Sequence, residues 1–487
     1  MTWLTGKPTR TRAISWPEND AEIAKVGTTE AREGQSISAN KILYWVASTG
    51  GEKTVLYVAD IDKLSTLEDE VVLQRAAQLD YSVHRAALTV DGGFVCVKWD
   101  DSEGNVIVRH HSPDGTQLGE ESVEAEAAYG NLVVHGAWVA LCIASGEESD
   151  DIIPTDKRFR IDWSIDADTS AFPMSQVADE IWMWNVDDGS SERVKIPQNP
   201  DAPMLHEGIF QIVGDYIVLA GSVEDDERAA IISFSWRQPE AQPVAFVEPQ
   251  LTNPEGVERS VMTDPNSGDI LVHCHESGSR ITVYKSGLLL GSIPSTGTSE
   301  DPPGLCESYL HPNDARTLPF SVANTLNLPS VSNNRILVKS SSFPAPPIFH
   351  ILDFDQARLG ELISMTHEQR ASLEQQLQSA GGHVQVVTRR YNWSDADGMV
   401  DGEYPTRADA TEQWKEYLMA APSPLDVTQA LEFDEPPEDK REPMPWGFVR
   451  TVLDLGKDVD GMYLALVGSS VVEMPTARKA GWIFNFE

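Results

Sequence analysis

The chain has 487 residues, of which 41% are hydrophobic, and its 37 basic and 76 acidic residues give a formal net charge of −39. This apolar content argues for a large packed core and against wholesale disorder. The charge disfavours nucleic acids and anionic membranes as partners, because a basic contact to phosphate would work against the field of the whole molecule. The same field attracts basic proteins and cations. Alternatively, the acidity only maintains solubility or reflects a salty habitat.

The N-terminal sequence and the apolar runs bear on the location of the protein. The sequence MTWLTGKPTRTRAISW lacks the run of about seven to fifteen apolar residues of a secretion signal. The longest apolar stretch, residues 132–144, is shorter than the roughly 20 residues of a membrane helix. The 4 cysteines form no CxxC pair, which fits a reducing compartment. We predict a cytoplasmic or nuclear protein with no membrane span and no signal peptide.

Short apolar runs, rich in β-branched and aromatic residues, alternate with turn sequences through the first part of the chain. Residues 83–123 are the clearest case, because HRAALTV, FVCVKW, NVIVRHH and TQLGEESV are separated by DGG, DDSEG and SPDG. Residues 208–247 and 257–293 have a similar pattern. Asp-Gly and related pairs supply the positive φ angles of hairpin turns. The pattern predicts four-stranded meanders of about 40–50 residues, the repeat length of propeller blades.

Two of these segments carry a resemblance to a known superfamily. The SPDG turn at residues 112–115, with the strands around it, and the segment DPNSGDILV at residues 264–272 resemble the β-propeller superfamily with WD-repeat-like blades. The resemblance covers residues 37–295 best and implies an all-β fold. The ends of the predicted blades depart from the WD-repeat pattern. No specific family is therefore assigned, and no functional residues are transferred.

The C-terminal third is less regular and contains helical patterns. The sequence Thr366-His-Glu-Gln369 is a capping box that predicts a helix ending at Gly381. A further helix is predicted after Thr406, with apolar residues on one side. We predict an all-β fold, a six- or seven-bladed β-propeller with helical insertions in the C-terminal third.

The domain division follows from these patterns. Residues 1–36 are predicted to be an N-terminal extension, and residues 37–487 a propeller with insertions at about 146–179, 355–380 and 405–442. The last strand, residues 481–486, is predicted to complete the first blade, which removes an exposed edge.

A candidate metal site lies in WSDADGMVDGEY, residues 393–404. This segment resembles the calcium loops of integrin-type propellers and dockerins, in which acidic ligands stand at alternate positions around a glycine. Asp395, Asp397 and Asp401 occupy three of the ligand positions, whereas Trp393 occupies the first and cannot coordinate through its side chain. The segment is either a Ca²⁺ site or an Asp/Gly-rich surface turn.

Two further histidines have a spacing that bears on metal binding. His273 and His275 alternate along a predicted strand, so they share one face, either as metal ligands or as polar residues of a solvated or channel face. We find no nucleophile elbow, zinc-protease motif or phosphate-binding loop in the sequence.

An acidic run, EFDEPPEDKRE at residues 432–442, is the candidate partner-binding segment. Glu432, Phe433, Asp434 and Glu435 place an apolar side chain among carboxylates, which could anchor a basic partner. The alternative is a solvated, mobile loop.

These features together predict a non-enzymatic protein-interaction scaffold that binds a basic or mixed protein partner and uses no cofactor other than the Ca²⁺ considered above. Two alternatives stay open. One is a propeller enzyme that acts on carbohydrate as a hydrolase or lyase, and the other is a structural or receptor-binding component of a larger assembly such as a virion. The fold cannot decide among them, since propellers serve all three purposes.

Overall fold

Strands dominate the part of the chain that the structure, a computed structural model, describes. That part comprises residues 2–18, 20–26, 31–38, 41–48, 53–61, 69–100, 105–124, 127–144, 180–196, 205–223, 229–238, 244–247, 259–263, 270–275, 280–285, 306–307, 315–318, 321–322, 330–340, 348–382, 384–389, 425–427, 446–459, 463–476 and 479–486.

The strands of these ranges are numbered in chain order. They are β1 (Arg10–Ser15), β2 (Ala31–Ile37), β3 (Lys41–Ser48), β4 (Thr54–Asp60), β5 (Glu70–Val72), β6 (Gln74–Leu79), β7 (Arg85–Leu88), β8 (Phe94–Asp100), β9 (Asn105–His111), β10 (Gln117–Glu124), β11 (Ala127–His135), β12 (Trp138–Ala144), β13 (Glu180–Asn185), β14 (Ser191–Lys195), β15 (Leu205–Val213), β16 (Tyr216–Val223), β17 (Ala229–Ser235), β18 (Val244–Val247), β19 (Arg259–Thr263), β20 (Ile270–His275), β21 (Arg280–Lys285), β22 (Cys306–Glu307), β23 (Ala315–Leu318), β24 (Ser321–Val322), β25 (Val331–Ser332), β26 (Arg335–Ser340), β27 (Ile348–Asp353), β28 (Val384–Arg389), β29 (Leu425–Val427), β30 (Trp446–Val452), β31 (Leu464–Val467), β32 (Ser470–Glu473) and β33 (Gly481–Asn485).

These strands form six small sheets of four or five strands and one larger sheet. In chain order, sheet I is β2-β3-β4-β6, sheet II is β7-β8-β9-β10, sheet III is β11-β12-β13-β14, sheet IV is β15-β16-β17-β18-β22 and sheet V is β19-β20-β21-β23. Sheet VI is the larger one, with the order β24-β26-β27-β30-β28-β29 and β25 paired to β26, and sheet VII is β31-β32-β33-β1-β5.

The sheets contact one another in a ring, mostly through their first strands. Strand β7 contacts β2 and β11, and β15 contacts β11 and β19. Sheet VI lies between sheets V and VII, because β24 contacts β20 and β21 while β25 and β26 contact β31. Sheets VII and I share one apolar cluster, which closes the ring. The prediction of an all-β, six- or seven-bladed β-propeller is confirmed, whereas the likeness to WD repeats stays a prediction.

The ring is closed within sheet VII by strands from both ends of the sequence. Strand β33 pairs antiparallel with β1, in a register that runs from Arg10 opposite Asn485 to Ile14 opposite Gly481. The prediction that the last strand completes the first blade is therefore wrong, since the N-terminal strand completes the last sheet instead. Strand β1 and most of β2 lie within residues 1–36, the segment that was predicted to be an N-terminal extension. The predicted insertion boundaries stay predictions.

Two helices separate β27 from β28, α1 (Gln356–Ser364) and α2 (His367–Ala380). The predicted capping box is present, because the side chain of Thr366 accepts from the backbone N–H of Gln369 and the Gln369 side chain accepts from the backbone N–H of Thr366. Helix α2 ends at Gly381 in the left-handed conformation, as predicted. The helical insertion is confirmed, whereas the helix predicted after Thr406 lies outside the described residues. Short 3₁₀ helices occur at Thr2–Thr5 and Ile23–Lys25.

Neither helix of the described ranges is long and apolar enough to cross a lipid bilayer.

The central strands are buried on both faces because each sheet packs between two others. In β3, every residue from Ile42 to Ala47 is buried, with alternate side chains facing sheet VII and sheet II. Outer strands are more exposed. The SPDG turn connects β9 to β10, and Gly115 adopts a φ of 88° there. A Cβ atom at this position would overlap Ala77 of sheet I, so the turn requires glycine for both conformation and close packing.

Candidate functional site

Several residues predicted to bind a metal or a partner lie outside the described residues, namely Asp395, Asp397, Asp401 and 432–435. Their roles stay predictions. His273 and His275 lie in β20, two positions apart, as the alternation requires. Among the described side chains, no group of three His, Cys, Asp or Glu residues is placed to hold a metal ion.

A buried polar cluster lies where sheet I meets sheet II. The Nδ1 atom of His111 lies 3.1 Å from the carbonyl oxygen of Gly115, and its Nε2 atom lies 2.9 Å from the hydroxyl of Tyr81. Because a carbonyl only accepts, Nδ1 carries the proton, and Nε2 accepts from the Tyr81 hydroxyl. The Arg109 guanidinium lies 4.4 Å from the centre of the Tyr81 ring. These contacts connect the SPDG turn to the segment between the two sheets.

The protonation states of this cluster favour a structural role. Cys96 of β8 is a neighbour of Tyr81, and burial raises the pKa of its thiol to about 12 and also raises the pKa of Tyr81. Burial, with the charge of Arg109 as a smaller cause, lowers the pKa of His111. The thiol and phenol therefore stay protonated and the imidazole neutral at pH 7. A nucleophile needs the opposite, a lowered pKa or an adjacent base that removes its proton.

A second buried polar cluster lies in sheet VI. The carboxylate of Asp353 accepts from Nε of Arg335 at 3.0 Å, from the backbone N–H of Asp355 at 3.0 Å and from the guanidinium of Arg358. Nearby on the same sheet, Nε of Arg450 donates to Nδ1 of His350 at 3.3 Å. Burial and the charge of Arg450 hold the pKa of His350 well below its usual range. This cluster also connects strands rather than offering a reactive group.

Acid is expected to destabilise the protein through its buried histidines. The pKa values of His111 and His350 are lower in the folded state, so the unfolded state binds more protons as the pH falls. Their stabilising contribution is complete above about pH 6.5, the unfolded value, and is lost as the pH falls towards the folded values. Urea unfolding should therefore give a lower free energy of unfolding at about pH 5.5 than at about pH 7.5.

The variant His350→Gln should reduce this difference between the two pH values. As a control, Phe349→Leu removes apolar contacts of the same strand without removing a titrating group, and it should lower stability equally at both pH values. An undiminished pH difference in His350→Gln would show that His350 does not contribute to acid sensitivity.

The outer strand of sheet II, β10, is the most exposed acidic element of the described sheets. Of its residues, only Val123 is buried. Leu118 is 57% exposed, and Glu120, Glu121 and Glu124 supply three carboxylates. The strand bears no basic residue. The Nε atom of Arg109 in β9 donates to Glu120 at 2.6 Å, which fixes the position of that carboxylate.

Sheet III supports this strand from one side. A Cβ atom on Gly119 would lie 3.2 Å from the Trp184 ring, so the β13–β14 hairpin packs closely on the strand. The Ser191 hydroxyl donates to Glu121 at 3.0 Å, and the Arg193 guanidinium donates to the carbonyl of Glu124 at 3.0 Å. Strand β10 is thus held in place by a neighbouring sheet.

The turn of that hairpin adds two exposed carboxylates, Asp187 and Asp188. The hydroxyl and backbone N–H of Ser190 hold the pKa of Asp188 below its usual range, so it stays charged. We define the acidic edge as the six residues Leu118, Glu120, Glu121, Glu124, Asp187 and Asp188.

Comparisons with solved structures find matches of low sequence identity and low TM-score. The matched structures include the Cps50 (Swd1) β-propeller domain of Myceliophteria thermophila, with 11% identity over 66% of this chain and 86% of that one and a TM-score of 0.33. The hemagglutinin-neuraminidase of Parainfluenza Virus 5 matches with 10% identity over 72% and 91% and a TM-score of 0.34. Prolyl oligopeptidase B from Galerina marginata matches with 12% identity, 76% of this chain, 45% of that chain and a TM-score of 0.36.

This chain therefore spans less than half of the oligopeptidase. Similarities at this level carry no argument about activity. No protein-family model and no curated protein matches the chain.

Proposed function

We propose that the protein is a non-enzymatic interaction scaffold that binds a basic segment of a partner protein at the acidic edge. The observation that carries the proposal is a solvent-facing strand that combines an exposed leucine with three carboxylates and no basic residue. An apolar anchor beside charge is the arrangement that protein interfaces use for affinity and orientation.

Charge alone would give a weak site. An exposed ion pair contributes about 0–1 kcal/mol, so binding must combine several carboxylates with the apolar contact of Leu118. The net charge of −39 adds a long-range attraction that raises the rate of encounter with a basic partner.

The chemistry of the buried groups supports binding over catalysis. The thiol of Cys96 and the imidazoles of His111 and His350 are buried, and burial holds them in their neutral forms. Cys96 is a free, buried thiol, which supports a reducing compartment, the cytoplasm or nucleus, as the place of this function.

Titration with a fluorescent peptide of about twelve residues that alternates Lys and Val would test the proposal, with anisotropy as the readout. The double variant Glu121→Gln and Glu124→Gln should bind about fivefold more weakly, because two exposed carboxylates together contribute about 1 kcal/mol. Leu118→Ser changes no charge and should also weaken binding, since it removes the apolar anchor.

The matched control is Glu368→Gln with Glu374→Gln, which changes the net charge equally on the exposed side of α2. The peptide should bind this control variant within about twofold of its affinity for the parent protein, because only the long-range attraction is slightly reduced. Equal losses in both double variants would show that the peptide responds to the field of the whole protein and not to the acidic edge. That result would overturn the proposed site.

A further inference from the structure

The outer strands of three sheets are covered by a further strand of the same chain. Strand β5 pairs with β1 in sheet VII, β22 pairs with β18 in sheet IV, and β29 pairs with β28 in sheet VI, each of them parallel. These added strands are short, with 3, 2 and 3 residues. The fold thus adds strands at the outer edges of its sheets more than once.

Strand β10 lies at such an edge and pairs, among the described strands, with β9 alone. The other outer strands without a described cover are β6, β14 and β23, with 6, 5 and 4 residues, whereas β10 has 8. It is also distinct in charge. The strands β6, β14 and β23 each contain arginine, whereas the charged residues of β10 are all glutamates. Length and charge together single out β10.

The backbone of β10 has hydrogen-bonding groups that face away from β9. The carbonyl of Glu124 accepts from Arg193 of sheet III, so it points outward from sheet II. Because backbone direction alternates along a strand, the N–H and C=O groups of Ser122 and Glu120 point outward too. Arg193 covers the Glu124 end. The outward-facing backbone groups that Arg193 does not cover therefore belong to Glu120 and Ser122, on the side of the strand towards Leu118.

Unpaired strand edges are normally protected against other chains by charge, proline or bulges. In β10 the register shifts between Gln117 and Gly119, and three carboxylates follow. These carboxylates repel another copy of this protein, which carries a charge of −39. They do not repel a basic segment. The carboxylates therefore protect the edge of β10 against acidic chains only. Its outward-facing backbone groups stay accessible to an extended basic chain.

We infer that β10 receives an extended basic segment of a partner protein as an added strand of sheet II. Backbone hydrogen bonds to Glu120 and Ser122 hold the segment, Lys or Arg side chains contact Glu120, Glu121 and Glu124, and an apolar side chain covers Leu118. Backbone pairing gives affinity and the side chains give selectivity, as in known cases of strand addition. This inference rests on the proposed function and specifies how the acidic edge binds.

The test uses the same alternating Lys and Val peptide and two N-methylated forms of it. One form is methylated on the Lys amides and the other on the Val amides. An added strand turns every second N–H group towards the edge, so one form should lose at least about tenfold in affinity, while the other stays within about threefold of the parent peptide.

A second measurement locates the strand. Hydrogen exchange of the Glu120 and Ser122 amides should slow at least about tenfold when the parent peptide is present, whereas exchange in β6, a comparable uncovered outer strand, should not change.

The outcomes separate the two proposals. If both methylated peptides bind like the parent and the exchange rates do not change, strand addition is wrong, while docking by charge at the acidic edge remains supported through the Glu121 and Glu124 variants. If the parent peptide does not bind at all, the proposed function fails together with this inference.

Discussion

Replacing Asp353 with alanine should lower the free energy of unfolding by about 3–5 kcal/mol, because a buried cation then loses its counter-charge. The Asp353 residue is 4% exposed, and its carboxylate accepts from Arg335, Arg358 and the backbone N–H of Asp355. Arg335 is itself buried and cannot turn to bulk water without disturbing β26. Chemical denaturation at pH 7 would measure the change.

A nearby carboxylate provides the control for this prediction. Asp355 caps the N terminus of α1, where its side chain accepts from the backbone N–H groups of Ala357 and Arg358. Replacing it with alanine removes a helix cap and should cost about 1 kcal/mol. A loss in Asp353→Ala as small as that in Asp355→Ala would show that the cluster is not a buried charge pair in solution.

The variant Gly6→Ala should be destabilised by at least about 3 kcal/mol, through strain of the backbone and overlap with a neighbouring chain segment. Gly6 adopts a φ of 65°, and a Cβ atom there would overlap the carbonyl oxygen of Val452 in β30. The carbonyl of Gly6 also accepts from the backbone N–H of Asp454 at 2.8 Å. The substitution should therefore loosen the N-terminal segment from sheet VI.

The matched control is Gly189→Ala in the β13–β14 turn. Gly189 has a φ of 75°, but a Cβ atom there would meet nothing within 4 Å. This variant isolates the conformational penalty, which is about 1–2 kcal/mol. Thermal unfolding of both variants would measure the difference. Equal losses would rule out the close approach of Gly6 to Val452 as a source of destabilisation.

The local parts of the fold could be predicted because their signals lie close together in the sequence. Apolar residues with turn pairs between them correctly predicted the four strands of sheet II, from Arg85–Leu88 to Gln117–Glu124. The capping box at Thr366 and the left-handed Gly381 correctly predicted the start and end of α2. In both cases a few neighbouring residues determine the conformation.

The closure of the ring could not be predicted in the same way. Strand β1 has the sequence RTRAIS, whose two arginines resemble a polar extension, yet Arg12 is 1% exposed and donates to the carbonyl of Ile61. Its partner β33 lies at the other end of the sequence, and local periodicity does not state which strands pair. Added strands of two or three residues, such as β22, are too short to produce any period.

The acidic edge shows the same division between local and distant information. The sequence TQLGEESV identified a strand, but its charge did not stand out in a chain with 76 acidic residues. No local signal shows that it is an outer strand without a described cover, or that it packs against Trp184 and Ser191, which follow more than 60 residues later. His111 follows its partner Tyr81 by 30 residues, and Tyr81 lies in the segment that joins sheets I and II, so no local pattern pairs the two.

The pairing of β1 with β33 also dictates an order of events while the ribosome makes the chain. Strand β1 is synthesised before sheets I to VI but has no antiparallel neighbour until translation has passed Asn485, so its docking waits for β33. Nascent sheets I to VI can condense one after another in the meantime, since each consists largely of residues close in sequence. The N-terminal segment therefore stays without this pairing throughout the synthesis of sheets I to VI.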